Sequence, residues 1–290
     1  SKLNKFDLKA PLLATCVIKG DMSVKGDPEI TVNAIIKNDE LMTSYGAVEN
    51  CSFNGKFTNN YKNGLGFNDA NSAVIITEFQ GDYKEIPINI PSAIINNLEK
   101  PVATGKFNSE YNMNKLDHFI NEEFMTFSGG TAKVNLDFKV DIVDLKLNKP
   151  IFTGAVIIKK ANLFLKSKNV NFNNTDIDLY FTEQALLIKK LKFQNKVNTV
   201  FMEGKVDNFL NLYYDAPEKM IVNWKIYSPY LDVKQIVNVL TYHNHPESTK
   251  TQSNNSSSNT LQEVLRKSQV SLEIKVDKLT YRKMTANDFK

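Results

Sequence analysis

KVNLDFKVDIVDLKL, residues 133 to 147, alternates apolar and polar side chains and then loses step. Val134, Leu136, Phe138, Val140 and Ile142 fall on even positions, whereas Val143, Leu145 and Leu147 fall on odd ones. A period of two marks a β-strand with one apolar face and one wet face. One extra residue sends every later side chain to the opposite face, so the step at Ile142–Val143 reads as a bulge or a break.

The same alternation returns along the chain. Ile30, Val32, Ala34 and Ile36 follow it, as do Ile86, Ile88 and Ile90. So do Ile177, Leu179 and Phe181, then Met220, Val222, Trp224 and Ile226, then Val270, Leu272, Ile274 and Val276. The loss of step returns as well: Leu186 and Ile188 are even, Leu191 and Phe193 odd. Repeated slips imply bulges that twist and curve the sheet. Gly26–Pro28, Lys37–Glu40, Lys62–Asp69 and Phe127–Gly130 carry the Gly, Asn and Asp that turns need, and they read as connections between antiparallel strands. The fold class expected is mainly β: a curved, twisted antiparallel sheet, an open trough or half-pipe of β-repeats, with a few short capping helices.

Four stretches read as helical. Val206, Phe209, Leu210 and Tyr213 share one helical face. Ser228 and Pro229 fit a cap and first turn ahead of Val233, Ile236, Val237 and Leu240. Thr260 and Glu263 have capping-box spacing, and NKLDHFI (114–120) fits one further turn. Each is expected to cap an end of the sheet or plug an edge.

Composition narrows the function. Hydrophobic residues make up 42% and charged residues 23% of the 290, with a net charge of +4. Lysines are spread along the chain and no basic patch interleaves with aromatics, so nucleic acid is not an expected partner. No run of 18 apolar residues occurs, so no segment spans a bilayer as a helix. The opening residues already read as strand and connector, which leads us to expect an excised piece of a longer protein. Cys16 and Cys51 fit two strand positions or, in an oxidising compartment, a disulfide; spacing does not decide between them.

Chemistry is sparse. His243 and His245 lack a third ligand at metal spacing, so no metal and no cofactor is expected. No nucleophile elbow, P-loop or dinucleotide fingerprint is present. Asp176 and Asp178 alternate with Ile177 and Leu179, so they read as a wet face rather than as a carboxylate pair across a cleft. The chain is not expected to be an enzyme.

One internal echo stands out. LEKPVATG (98–105) and LNKPIFTG (147–154) both fit L-x-K-P-[VI]-x-T-G, and FNG (53–55) shares the middle of the pattern. Periods of 20–50 residues point to arrays in which each unit packs on the next.

These motifs carry a family resemblance. KPIFTGAVIIKK (149–160), FTEQALLIKKLKF (181–193), MEGKVDNFLNLY (202–213) and IYSPYLDV (226–233) resemble AsmA-type periplasmic proteins, and VDKLTYRKMTANDF (276–289) is similar to a later strand of such arrays. The resemblance implies an inner-membrane-anchored protein of the Gram-negative envelope, located in the periplasm. It also implies kinship with bridge-like lipid transfer proteins and a part in outer-membrane assembly. The partners implied are phospholipid or another lipid, together with inner- and outer-membrane or envelope proteins. On this reading residues 1-242 form an AsmA-like β-repeat domain. Residues 243-259 form a flexible Ser/Asn-rich linker, and residues 260-290 begin a further helix-strand segment of the same array. The apolar wall expected to hold lipid comprises Val134, Leu136, Phe138, Val140, Ile177, Leu179, Phe181, Val222, Trp224 and Ile226. The same residues fit a closed sandwich core, which would make the chain a structural or adhesive β-repeat protein with no ligand.

Overall fold

The computed structural model describes residues 7–21, 26–43, 45–120, 125–143, 146–166, 169–212, 216–233 and 267–290. Alternating side chains have made strands almost throughout. The first group is β1 (Asp7–Leu8), β2 (Leu13–Lys19), β3 (Glu29–Thr43), β4 (Gly46–Thr58), β5 (Ala73–Tyr83), β6 (Ile86–Asn96) and β7 (Val102–Asn112). Then come β8 (Met125–Val143), β9 (Lys146–Leu165), β10 (Val170–Phe181), β11 (Ala185–Gln194) and β12 (Thr199–Asp207). The series ends with β13 (Ile221–Asp232), β14 (Gln269–Tyr281) and β15 (Met284–Phe289).

All fifteen strands belong to one sheet that does not close into a barrel. From β3 to β15 each strand neighbours the next in sequence, and β1 and β2 lie one after the other along the free side of β3. The expectation of a purely antiparallel sheet needs one correction. β13 and β14 pair in parallel, from Ile221 opposite Gln269 to Asp232 opposite Thr280, so the sheet is mixed. A parallel neighbour requires a long crossover, and 36 residues separate the two strands, enough for one.

The opening stretch resolves as a break. In β8, Val134, Leu136, Phe138 and Val140 are covered or half-covered while the odd residues between them are exposed. β8 ends at Val143 and β9 starts at Lys146, so the lost step falls where one strand gives way to the next; residues 144 and 145 lie outside the described residues. Two other expected turns prove to be bulges inside strands. Lys37–Glu40 lies within β3, where the register against β4 shifts on both sides of Asp39 and Asn38 has φ 49°. Phe127–Gly130 lies within β8, where Gly130 has φ 92° and a Cβ would come within 2.4 Å of the Ala161 backbone. Turn residues and bulge residues are the same residues, because both must supply positive φ.

These bulges are braced. Three left-handed residues inside strands give their N–H to a side chain on an adjacent strand: Asn38 to Ser52 Oγ at 2.8 Å, Lys160 to Asp176 Oδ1 at 3.1 Å, and Asn174 to Asn162 Oδ1 at 3.0 Å. Each bond satisfies a donor that the slipped ladder leaves over. The slip read at Ile188–Leu191 is also present: Ile188 faces Gly204 and Leu191 faces Met202, one residue out of step.

Helix among the described residues consists of short 3-10 turns and two single α-helical residues, Val233 directly after β13 and Lys267 just before β14. One 3-10 turn spans Met113–His118, at the place where a further turn was expected. The helix expected from Val206 is replaced by the end of β12 and a single turn at Phe209–Leu212. Ser228 and Pro229 lie inside β13 instead of capping a helix, because a strand with Trp224 and Ile226 on its covered face simply continues through them. Ile236, Val237, Leu240, residues 243–259 and the Thr260–Glu263 box lie outside the described residues.

By contacts the chain divides into two compact units. Unit 1 comprises Ser1–Tyr111 and Lys133–Gly154; unit 2 comprises Asn112–Ala132 and Ala155–Lys290. In unit 1 the buried cluster is Val48, Cys51 and Phe79, with Phe53 stacked on Phe79 at 5.4 Å. In unit 2 one cluster is Val206, Met220 and Val222.

Candidate functional site

The glycines of the F-x-G-like motifs explain how closely the strands approach. At Gly105, Gly154 and Gly204 a Cβ would meet a carbonyl oxygen of the neighbouring strand at 2.8, 2.2 and 2.3 Å. Two of them also admit an aromatic ring. Phe138 Cζ lies 2.8 Å, and Trp224 Cδ1 2.6 Å, from where a Cβ on Gly105 and Gly204 would sit. Gly55, Gly105, Gly154 and Gly204 recur about every fifty residues. The last of these was missed as a repeat in the sequence because Met202-Glu203-Gly204 lacks the K-P that precedes Gly105 and Gly154.

Unit 2 contains a cavity of about 660 Å³. Its floor is the apolar face of seven consecutive strands. β8 and β9 contribute Met125, Phe127, Ile158 and Leu163; β10 and β11 contribute Phe172, Ile177 and Phe193. β12, β13 and β14 add Val200, Met202, Ile226, Leu231, Leu272 and Ile274. For strands as far apart in order as β8 and β14 to reach one cavity, the sheet within this unit must curve. The wall carries no charged side chain. Leu272 is 49% exposed and Val270 45%, whereas their partners Trp224 and Val222 are half-buried and buried, so the apolar face opens to solvent along β14.

The opposite end of the same strands is plugged. Phe209, on its 3-10 turn, meets Phe181 edge-on at 5.6 Å and packs on the cluster of Val206, Met220 and Val222. This is the role expected of a capping turn, taken by a shorter element.

The residues expected to form a lipid wall therefore occupy different settings. Ile177 and Ile226 line the cavity. Leu179 is on the Ile177 face of β10, next to Phe181 at the plugged end. Val222 is 1% exposed within the sealed cluster, with Trp224 packed on its flank. Val134, Leu136, Phe138 and Val140 belong to unit 1, where they share one face of β8, and Val140 is buried. Alternation found the right face but missed the lining from β9, Phe172, Phe193 and Met202. The β9 lining past Lys160, Phe172 and Phe193 sit beyond bulges, where parity changes, whereas β12 pairs with β13 in unbroken register and Met202 lies beyond none there.

The outer face of these strands is charged. Asp176 pairs with Lys190 at 3.0 Å, Asp178 with Lys159, and Lys205 with Asp207 at 2.7 Å. Burial works against ionisation of Asp176, but the Lys160 N–H and the Lys190 ammonium outweigh it and hold the carboxyl below its usual range. The two aspartates are thus lysine-paired on the wet face. No cluster of three or more His, Cys, Asp or Glu that would hold a metal occurs among the described residues. Cys16 is exposed and Cys51 buried, and both are free thiols, so the disulfide alternative is not realised. Among the described residues no helix is long and apolar enough to cross a membrane.

Compared with protein-family models, with curated proteins and with solved structures, the chain matches none.

Proposed function

We propose that this chain binds lipid acyl chains on the apolar face of its sheet and serves lipid transfer in the Gram-negative envelope. The observation that carries the reading is the 660 Å³ cavity, with its uncharged wall and its opening beside Leu272. Its volume lies within the range of about 300–1,000 Å³ typical of ligand sites.

Energetics favour a transient hold. Each methylene moved out of water contributes about 0.8 kcal/mol, and much of one chain about 10 kcal/mol. Association costs about 4–15 kcal/mol in lost freedom, so the surplus is small. A wall of interchangeable apolar contacts lets a chain move along it, while a charged headgroup stays in water outside the cavity.

The resemblance to AsmA-type proteins extends the reading. It supplies a periplasmic location, an inner-membrane anchor in the full-length protein, and envelope proteins and phospholipid as partners in outer-membrane assembly. On this reading the protein acts by binding and catalyses nothing.

The test is native mass spectrometry of the purified chain. Co-purified phospholipid or fatty acid is the expected result. Protein that stays clean after incubation with phospholipid vesicles would replace this reading with that of a structural or adhesive β-repeat protein.

A further inference from the structure

The cavity is apolar except for Thr175, Asn195 and Asn198, and two of these are buried without complete hydrogen bonding. Thr175, on β10, is 0% exposed and its Oγ1 has no partner. Asn198, in the β11–β12 hairpin, is 3% exposed and its Nδ2 has no partner. Both line the cavity.

The Asn198 amide cannot be turned round to hide this donor. Its Oδ1 already accepts the Asp232 N–H at 2.7 Å, and its own N–H and carbonyl are tied to Asn195 across the hairpin. The fixed Oδ1 directs the NH₂ group away from the hairpin's own bonds. Buried polar atoms are ordinarily satisfied, so a donor held in this way calls for an acceptor.

The lining also sets the acceptor's charge. No Lys, Arg or His lines the cavity. An ionised carboxylate placed there would lack a counter-charge and be strongly disfavoured. A neutral carbonyl needs only hydrogen bonds, which an amide NH₂ and a hydroxyl provide.

We propose that Asn198 and Thr175 anchor the ester carbonyl of an acyl chain, so that the cavity selects esterified chains over free fatty acids and over bare hydrocarbon. The inference rests on the acyl-chain reading and adds a polar register point to an otherwise featureless wall. A sliding chain would pause where its carbonyl meets these groups.

The experiment is competition against an apolar fluorescent dye bound to the full chain at pH 8.5, with dodecane, methyl dodecanoate and dodecanoate as competitors. The ester is expected to displace dye about ten-fold better than dodecane and to outcompete dodecanoate. Asn198→Asp keeps Oδ1 for the Asp232 N–H but replaces the donor, and it should erase the ester's advantage while dye and dodecane still bind. Thr175→Val, which keeps the side-chain shape, should reduce that advantage and serves if the aspartate variant fails to fold. Equal displacement by ester and dodecane in the unaltered chain, dodecanoate as the best competitor, or an ester preference that survives both substitutions would overturn the anchor and leave acyl binding standing. Failure of the dye and of every chain to bind would overturn the acyl reading itself.

Discussion

The two units apply one strand pattern to different interiors. In unit 1 aromatic rings fill the buried face: Phe53 stacks on Phe79, and Val48 and Cys51 close around them. In unit 2 the strands from β8 to β14 leave a 660 Å³ space above Ile177, Met202 and Ile226. Alternation of side chains is equally regular in both. What differs is how the covered face is filled, and that depends on ring size, bulge position and the plug at Phe209.

The largest expected effect breaks this comparison directly. Phe79→Ala in unit 1 should lower stability by about 3–5 kcal/mol, since a filled cluster loses both transfer energy and packing. Ile226→Ala on the cavity wall should cost under about 2 kcal/mol, because part of that side chain already faces open space. Chemical denaturation of both variants checks the contrast. Equal losses would mean that the cavity wall is packed as tightly as the filled cluster.

A second test uses Cys51, which lies inside the filled cluster. Burial, with Asp39 nearby, pushes its thiol from 9.0 up to about 11. Between those values the unfolded chain loses the proton while the folded chain keeps it, so stability falls as pH rises from 9 towards 11. The loss should reach about 2–3 kcal/mol. Cys51→Ala should remove that part of the alkaline slope, measured as the difference between the two denaturation series. An identical slope in both proteins would mean that water reaches the cluster.

The cavity has its own test. Ile177→Trp should fill space without burying charge, leaving the melting temperature within a few degrees and reducing acyl-chain binding at least about ten-fold, or 1.4 kcal/mol. Undiminished binding would move the lipid site elsewhere.

Much of this was legible in the sequence, for definite reasons. The faces of β8, β10 and β13 followed from a period of two, and the bulge at Ile188–Leu191 from its change of parity. Lys37–Glu40 and Phe127–Gly130 misled because positive-φ residues serve turns and bulges alike. The supposed helix at Val206 failed because a strand ending beside a 3-10 turn also places apolar residues three and four apart. The division of the wall was not legible at all. Val222 and Ile226 have the same parity on the same strand, yet one is sealed by Phe209 and its neighbours and the other faces the cavity. That distinction is set by residues from other strands, which no local pattern contains.

The smallest effect sharpens the contrast between the two faces of unit 2. Asp176 lies opposite Ile177 in sense, on the charged side, where it accepts the Lys160 N–H of a bulge and pairs with Lys190. Asp176→Asn keeps an oxygen for the bulge and removes only the charge. Its folded value is depressed, so the ionic contribution is present above the unfolded value of 3.8 and is lost as pH falls below it. With Lys190 45% exposed, the substitution should cost less than about 1 kcal/mol at neutral pH and progressively less as pH falls below 3.8, with acyl-chain binding unchanged. Loss of binding in this variant would mean that the outer face, or the bulge it braces, shapes the cavity from behind; the inner wall alone would then no longer account for the site.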